Sequence, residues 1–182
     1  MAASQPATTG QECQMCKTII KDEDRESIPR ISDESGFLTY GTDGNYCLFC
    51  YVNVQICGWI DASIGEIGGT VEGHSDKPFA RRLKEHAKTL RGQVHGLAEL
   101  CRCGGNRNQV LELHEKWQPH EEKTRKGWEM TMETERLQSR PPGGYRGSSL
   151  YLEVSDEFIS FSRKLRHWHI QLSQSQSSGR TR

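Results

Sequence analysis

The chain has 182 residues, 34% of them apolar and 26% charged, and its 24 basic and 24 acidic side chains cancel. That length holds one modest core or two small ones, and so low an apolar content describes a soluble protein with loosely ordered stretches. No run of about 18 apolar residues occurs, so no membrane-spanning helix is expected, and the leader MAASQPATTG lacks the basic and apolar segments of a secretory signal.

Residues 1–10 are small and polar and read as a disordered leader. From 11 to 60 the pattern is that of a β-rich module: GFLTY and NYCLFCYVNVQICGWI flank GTDG, whose Asp43-Gly44 step suits a tight hairpin. Val52, Val54 and Ile56 alternate with Asn53 and Gln55, as on a strand with two differently used faces. Residues 61–75, DASIGEIGGTVEGHS, carry four glycines and read as a linker.

A helical region is expected over 76–138. Ser75 or Asp76 can cap it, Pro78 suits a first turn, and Leu83, Ala87, Leu90, Val94, Leu97 and Cys101 continue from Phe79 as one apolar stripe. Gly104 and Gly105 end that helix. A shorter one follows from Asn108, with Val110, Leu113, His114 and Trp117 on one side, until Pro119 interrupts. The Pro/Gly loop 139–149 precedes an amphipathic helix over 150–172, in which Phe158, Phe161, Leu165, Trp168 and Leu172 recur three and four apart. The alternation in WHIQL leaves a strand open for 164–172, and 173–182 is expected to be disordered.

The cysteines carry the chemistry. In a reducing compartment, cytoplasm or nucleus, seven thiols point to metal rather than disulfides. Each CxxC sets two thiolates on one tight turn, and two such turns supply the four sulfurs of a structural zinc site. Cys13 and Cys16 of CQMC with Cys47 and Cys50 of CLFC are therefore the candidate Zn(2+) ligands, and the metal would stabilise a module too small to hold itself. A redox pair is the alternative; it requires a CxxC at a helix start, which the β reading does not provide. Plain buried thiols are the third reading. A second zinc site could draw on Cys57, Cys101 and Cys103 with a histidine from His74, His86, His95 or His114, of which His114 is best placed. The alternative there is that Cys57 and Cys101 are apolar fillers. The expected fold class is thus α+β, a small zinc-bound β-rich N-terminal module followed by amphipathic helices.

Charge is unevenly spread. Residues 1–76 carry 4 basic and 12 acidic side chains, whereas 77–107 carry 8 and 2. Arg81, Arg82, Lys84, Lys88 and Arg91 crowd the face opposite the apolar stripe, with Arg102 and Arg107 beyond, a surface suited to RNA phosphates. The bland reading is a solvated face that balances the acidic front. The stripes at Phe79–Cys101 and Phe158–Leu172 could also pair with a second copy in a homodimer. No P-loop, GxSxG or HExxH motif is present, and no enzyme is expected.

The early cysteine pairs, GHS before a basic helical stretch, CRCGGNRNQVLELHEKW opening another helix and a heptad-like tail together resemble the small cysteine-rich proteins of rod-shaped plant RNA viruses, the furo-, hordei- and tobravirus group. The resemblance implies a suppressor of host RNA silencing and virulence factor, with a zinc- or RNA-binding front and a self-associating helical rear. It also implies RNA and host silencing or defence proteins as partners, in the cytoplasm or nucleus of the host cell. Cys103 and Gly104 match the family's short signature, while Arg107 stands where the family has histidine.

Overall fold

The computed structural model describes residues 10–35, 44–70, 78–104, 107–138 and 146–178. They form five helices: α1 (Asp22–Ser35), α2 (Leu48–Thr70), α3 (Pro78–Gly104), α4 (Arg107–Gln138) and α5 (Arg146–Ser178). The expected α+β class and β-rich module are overturned. Among the described residues the only β pairing is an isolated antiparallel bridge between Glu12 and Ile19.

The error lies in α2. Its residues Leu48, Tyr51, Val52, Asn53, Gln55, Ile56, Trp59, Ile60 and Ser63 are all buried, so the helix is covered on nearly every side. A helix buried all round has no polar face to impose a 3.6-residue period, and the short Val52–Val54–Ile56 alternation then imitates a strand. Tertiary burial overrides the β propensity of these branched residues. The helix also runs through residues 61–70, where the glycines suggest a linker. The expected strand GFLTY and most of GTDG lie outside the described residues, as do residues 71–77.

The rest of the helical reading is closer. On α3 the expected stripe of Leu83, Ala87, Leu90, Val94, Leu97 and Cys101 is buried, and the helix ends at Gly104. α4 does not stop at Pro119 but continues to Gln138 with that proline inside it. α5 settles 164–172 as helix, begins at Arg146 within the expected loop, and extends to Ser178 within the expected tail.

The principal contacts run α2 with α3, α3 with α5, α5 with α4 and α4 with α2, so four helices form a ring around one core, and α1 packs on α2. Trp59 of α2 sits at its centre. The ring meets Trp117, Phe158 and Phe161 edge-to-face at centroid distances of 6.3, 5.1 and 6.1 Å, the offset geometry that aromatic quadrupoles favour. Its indole N–H donates to Thr124 Oγ1 at 2.8 Å, and that hydroxyl donates to the Glu121 carbonyl, so the buried polar tip is satisfied.

Two histidines are buried in α4. His120 Nδ1–H donates to Glu157 at 2.7 Å while Nε2 accepts from Lys164 at 3.0 Å, an arrangement that fits the neutral ring. His114 packs against Trp117 with its Nε2 unpartnered. Burial holds both imidazoles below their ordinary range, His114 down to about 4, with Glu157 opposing part of the effect at His120. A histidine buried neutral adds stability that is present above its unfolded value of 6.5 and is lost as pH falls through the folded value. Urea titrations are expected to lose about 3 kcal/mol through His114 between pH 6.5 and 4. His114→Leu should remove that share of the slope, and equal slopes in both proteins would refute the account.

Candidate metal centre

Two pieces of backbone build the thiol cluster. The first is a turn over Gln14–Cys16, closed by Lys17 N–H to Cys13 O at 2.9 Å and by Cys13 N–H to Thr18 O at 2.8 Å. Lys17 takes a left-handed conformation, φ 60°, to complete it. The second is the start of α2. Cys47 stands just before Leu48, its carbonyl accepts from Tyr51 N–H at 2.9 Å, and Cys50 follows in the first turn. Gln14 N–H donates to Asn45 O at 2.8 Å and joins the two pieces. At Gly44 the exposed Gln14 side chain packs against the backbone, its Oε1 occupying the space a Cβ would take, so a larger residue there would require that side chain to swing aside.

The four sulfurs lie within 4.8 Å of one another. Tetrahedral zinc with bonds of about 2.3 Å separates its sulfurs by about 3.8 Å, and the Cys16–Cys47 pair stands 3.7 Å apart. Cys13, Cys47 and Cys50 are buried and Cys16 is half-buried, with Ile20, Tyr46 and Phe49 packed around them. The four cysteines can therefore hold a metal ion, with the donor type, number and spacing that zinc prefers.

Electrostatics point the same way. Hydrogen bonds from Cys50, then Cys16 and Cys13, hold the Cys47 thiol at about 5 against the opposing effect of burial. The position before the first turn of α2 adds the positive end of the helix dipole. Cys50 is pushed up, chiefly by its bond to Cys47 and by burial. A divalent ion would allow all four sulfurs to ionise together. The sequence reading places no CxxC at a helix start, and Cys47–Cys50 corrects it. That position suits a redox pair too, but a third and a fourth thiol in contact favour the metal.

Among the described residues the proposed second site does not assemble. Cys101 is fully buried in the α3 stripe, its thiol pushed up to about 11 by burial, and serves as core filler. His114 is enclosed beside Trp117, and Cys57 lies half-buried on the α2–α3 seam. The side chain of Cys103 and all of His74 fall outside the described structure. His86 bonds Ser155 at 2.9 Å between α3 and α5, and His95 bonds Asn53. Among the described residues no second metal-ligating group forms.

The basic residues divide. Arg81, Arg82, Lys84 and Lys88 are exposed on α3, opposite its buried stripe. Arg91 is paired with Asp61 of α2. Arg107 is committed to α1: it pairs with Asp24, whose side chain is buried, and donates to the Glu23 carbonyl and Ser27. It thereby lines a cleft of about 260 Å³ beside the thiol cluster with Ile19, Lys21 and Phe49. The Arg102 side chain is not described. Sequence reasoning missed α1 itself, though Asp22, Glu23 and Asp24 form an acidic first turn of the kind that marks a helix start.

Elemental analysis of the purified chain is expected to give one zinc ion per molecule, and cobalt substitution the visible absorption of a tetrathiolate. Cys13→Ser or Cys47→Ser should lower metal content and the melting temperature together, whereas Cys101→Ala should leave the metal in place. A stoichiometric Cys47–Cys50 disulfide in metal-free protein of unchanged melting temperature would overturn the assignment. No helix among the described residues is long and apolar enough to cross a membrane. No protein-family model, curated protein or solved structure matches the chain.

Proposed function

We propose that the protein is a non-enzymatic, zinc-stabilised RNA-binding protein that acts as a viral suppressor of host RNA silencing and a virulence factor. The viral context rests on the resemblance drawn from the CRCGGNRNQVLELHEKW stretch and the early cysteine pairs. The observation that carries RNA contact is the outer ridge of α3. Arg81, Lys84 and Lys88 fall at spacings of three and four with Arg82 beside them, so four exposed cations share one surface opposed mainly by Glu85. α3 packs along α2, at whose start two of the four thiols stand, so metal binding would hold the ridge to a fixed frame. Arg91 and Arg107 belong to ion pairs within the chain and leave the contact set.

A second reading, a zinc-dependent adaptor for host silencing or defence proteins, is supported by Met15 and Ile19. They are 47% and 63% exposed on the turn around the thiols. The apolar faces of α3 and α5 are packed within the chain, which leaves a homodimer little of the stripes that sequence suggests.

Neutralising four phosphates implies that RNA affinity falls by about 50- to 150-fold between about 50 and 200 mM salt. Replacing Arg81, Arg82 and Lys84 together by Glu should abolish binding without loss of zinc or helicity. Undiminished binding by that triple variant would remove α3 as the contact, and no binding even at low salt would leave the adaptor reading.

A further inference from the structure

We propose that Cys57, His95 and Asn53 form a base-assisted thiol site on the α2–α3 seam, which takes up small disulfides as a mixed disulfide. Cys57 and Asn53 lie one turn apart on α2, and His95 reaches them from α3. The sulfur stands 3.9 Å from His95 Nε2 and 3.4 Å from Asn53 Oδ1, and the Asn53 carboxamide lies 2.9 Å from His95 Nδ1. As placed the thiol donates to the carboxamide oxygen with the imidazole beside it, so the three groups that activate a cysteine nucleophile, acid, base and a group that orients the base, are in mutual reach.

The surroundings separate this thiol from the other described cysteines. Cys13, Cys16, Cys47 and Cys50 belong to the metal cluster, and Cys101 has no solvent-exposed surface. Cys57 is half-buried and His95 is exposed, so a small reagent can reach the sulfur from the ring side. One turn further along both helices, Arg91 pairs with Asp61 and ties the same two segments together. Arg91 of α3 acts electrostatically on Cys57, and Asp61 of α2 is the arginine's partner. Burial pushes the Cys57 thiol up and Arg91 offsets part of that effect, so the group rests protonated and its reactivity depends on a proton acceptor.

His95 is that acceptor. As placed, the Asn53 Nδ2 donates to Nδ1; turning the carboxamide by half a turn offers Oδ1 to an Nδ1–H and frees Nε2 to take a proton. The thiol proton then passes to Nε2, and the sulfur attacks one sulfur of a low-molecular-weight disulfide. The old S–S bond breaks, a new one forms to Cys57, and the departing thiolate takes the proton back from the imidazolium. One thiol and one disulfide give one mixed disulfide and one thiol, with no other reactant.

The test uses zinc-loaded full-length protein and glutathione disulfide, with adduct sites located by peptide mapping. Cys57 should carry the first adduct with zinc retained, and Cys57→Ser should lose it. His95→Gln should slow its formation at neutral pH by about tenfold or more. In His95→Ala, added imidazole should restore much of the rate, a rescue that a packing role would not give. A first adduct on another cysteine, a His95→Gln rate within twofold of the parent, or no imidazole rescue would each overturn the proposal.

Discussion

Burial of α2 on nearly every side is the constraint from which the architecture follows. A helix that presents Leu48, Tyr51, Val52, Gln55, Ile56, Trp59 and Ile60 around its circumference cannot lie on a surface. It needs neighbours in several directions, and α3, α4, α5 and α1 supply them. The same helix carries Cys47 and Cys50 at its start and Trp59 three turns on, so thiol cluster and aromatic core are joined by one helix. Metal binding at the first turn would restrain the element on which the rest of the bundle is assembled.

How much of this was legible in the sequence depended on whether each segment had a wet face. On α3 the charged residues between Leu83, Ala87, Leu90 and Val94 write the helical period into the chain, and stripe and terminus were both readable. α5 was legible for the same reason through Phe158, Phe161 and Leu165. On α2 no residue before Asp61 is exposed, and a run of branched residues left only the misleading two-residue alternation. Pro119 misled in another way. It is exposed on α4, and the packing of Val110, Leu113 and Trp117 on one side with His120 and Thr124 on the other carries the helix past a lost hydrogen bond.

The candidate site was legible because ligand chemistry is local. A CxxC fixes two sulfurs on one turn whatever follows it, so the four ligands could be named with the wrong secondary structure around them. The position of the second pair could not, because it depends on α2 being a helix. Partners across the fold were equally hidden. That Arg107 serves Asp24, and Arg91 serves Asp61, is a consequence of the start of α4 meeting the first turn of α1 and of α2 packing on α3. Both arginines look free in a linear count of charge. Arg107 supports the wall of the cleft beside the thiols by holding the first turn of α1.

Environment, not sequence motif, divides the described cysteines into three chemical kinds. Four face one another across two turns, where like charges can coexist only around a cation. One, Cys101, faces Leu97 and its neighbours in the core, where ionisation would place an uncompensated charge in an apolar medium. Cys57 faces an imidazole and a carboxamide at the edge of solvent, where a proton has somewhere to go. A metal that occupies the first group would therefore sharpen the contrast: by withdrawing four thiols from exchange, it would leave the α2–α3 seam as the accessible sulfur among these six.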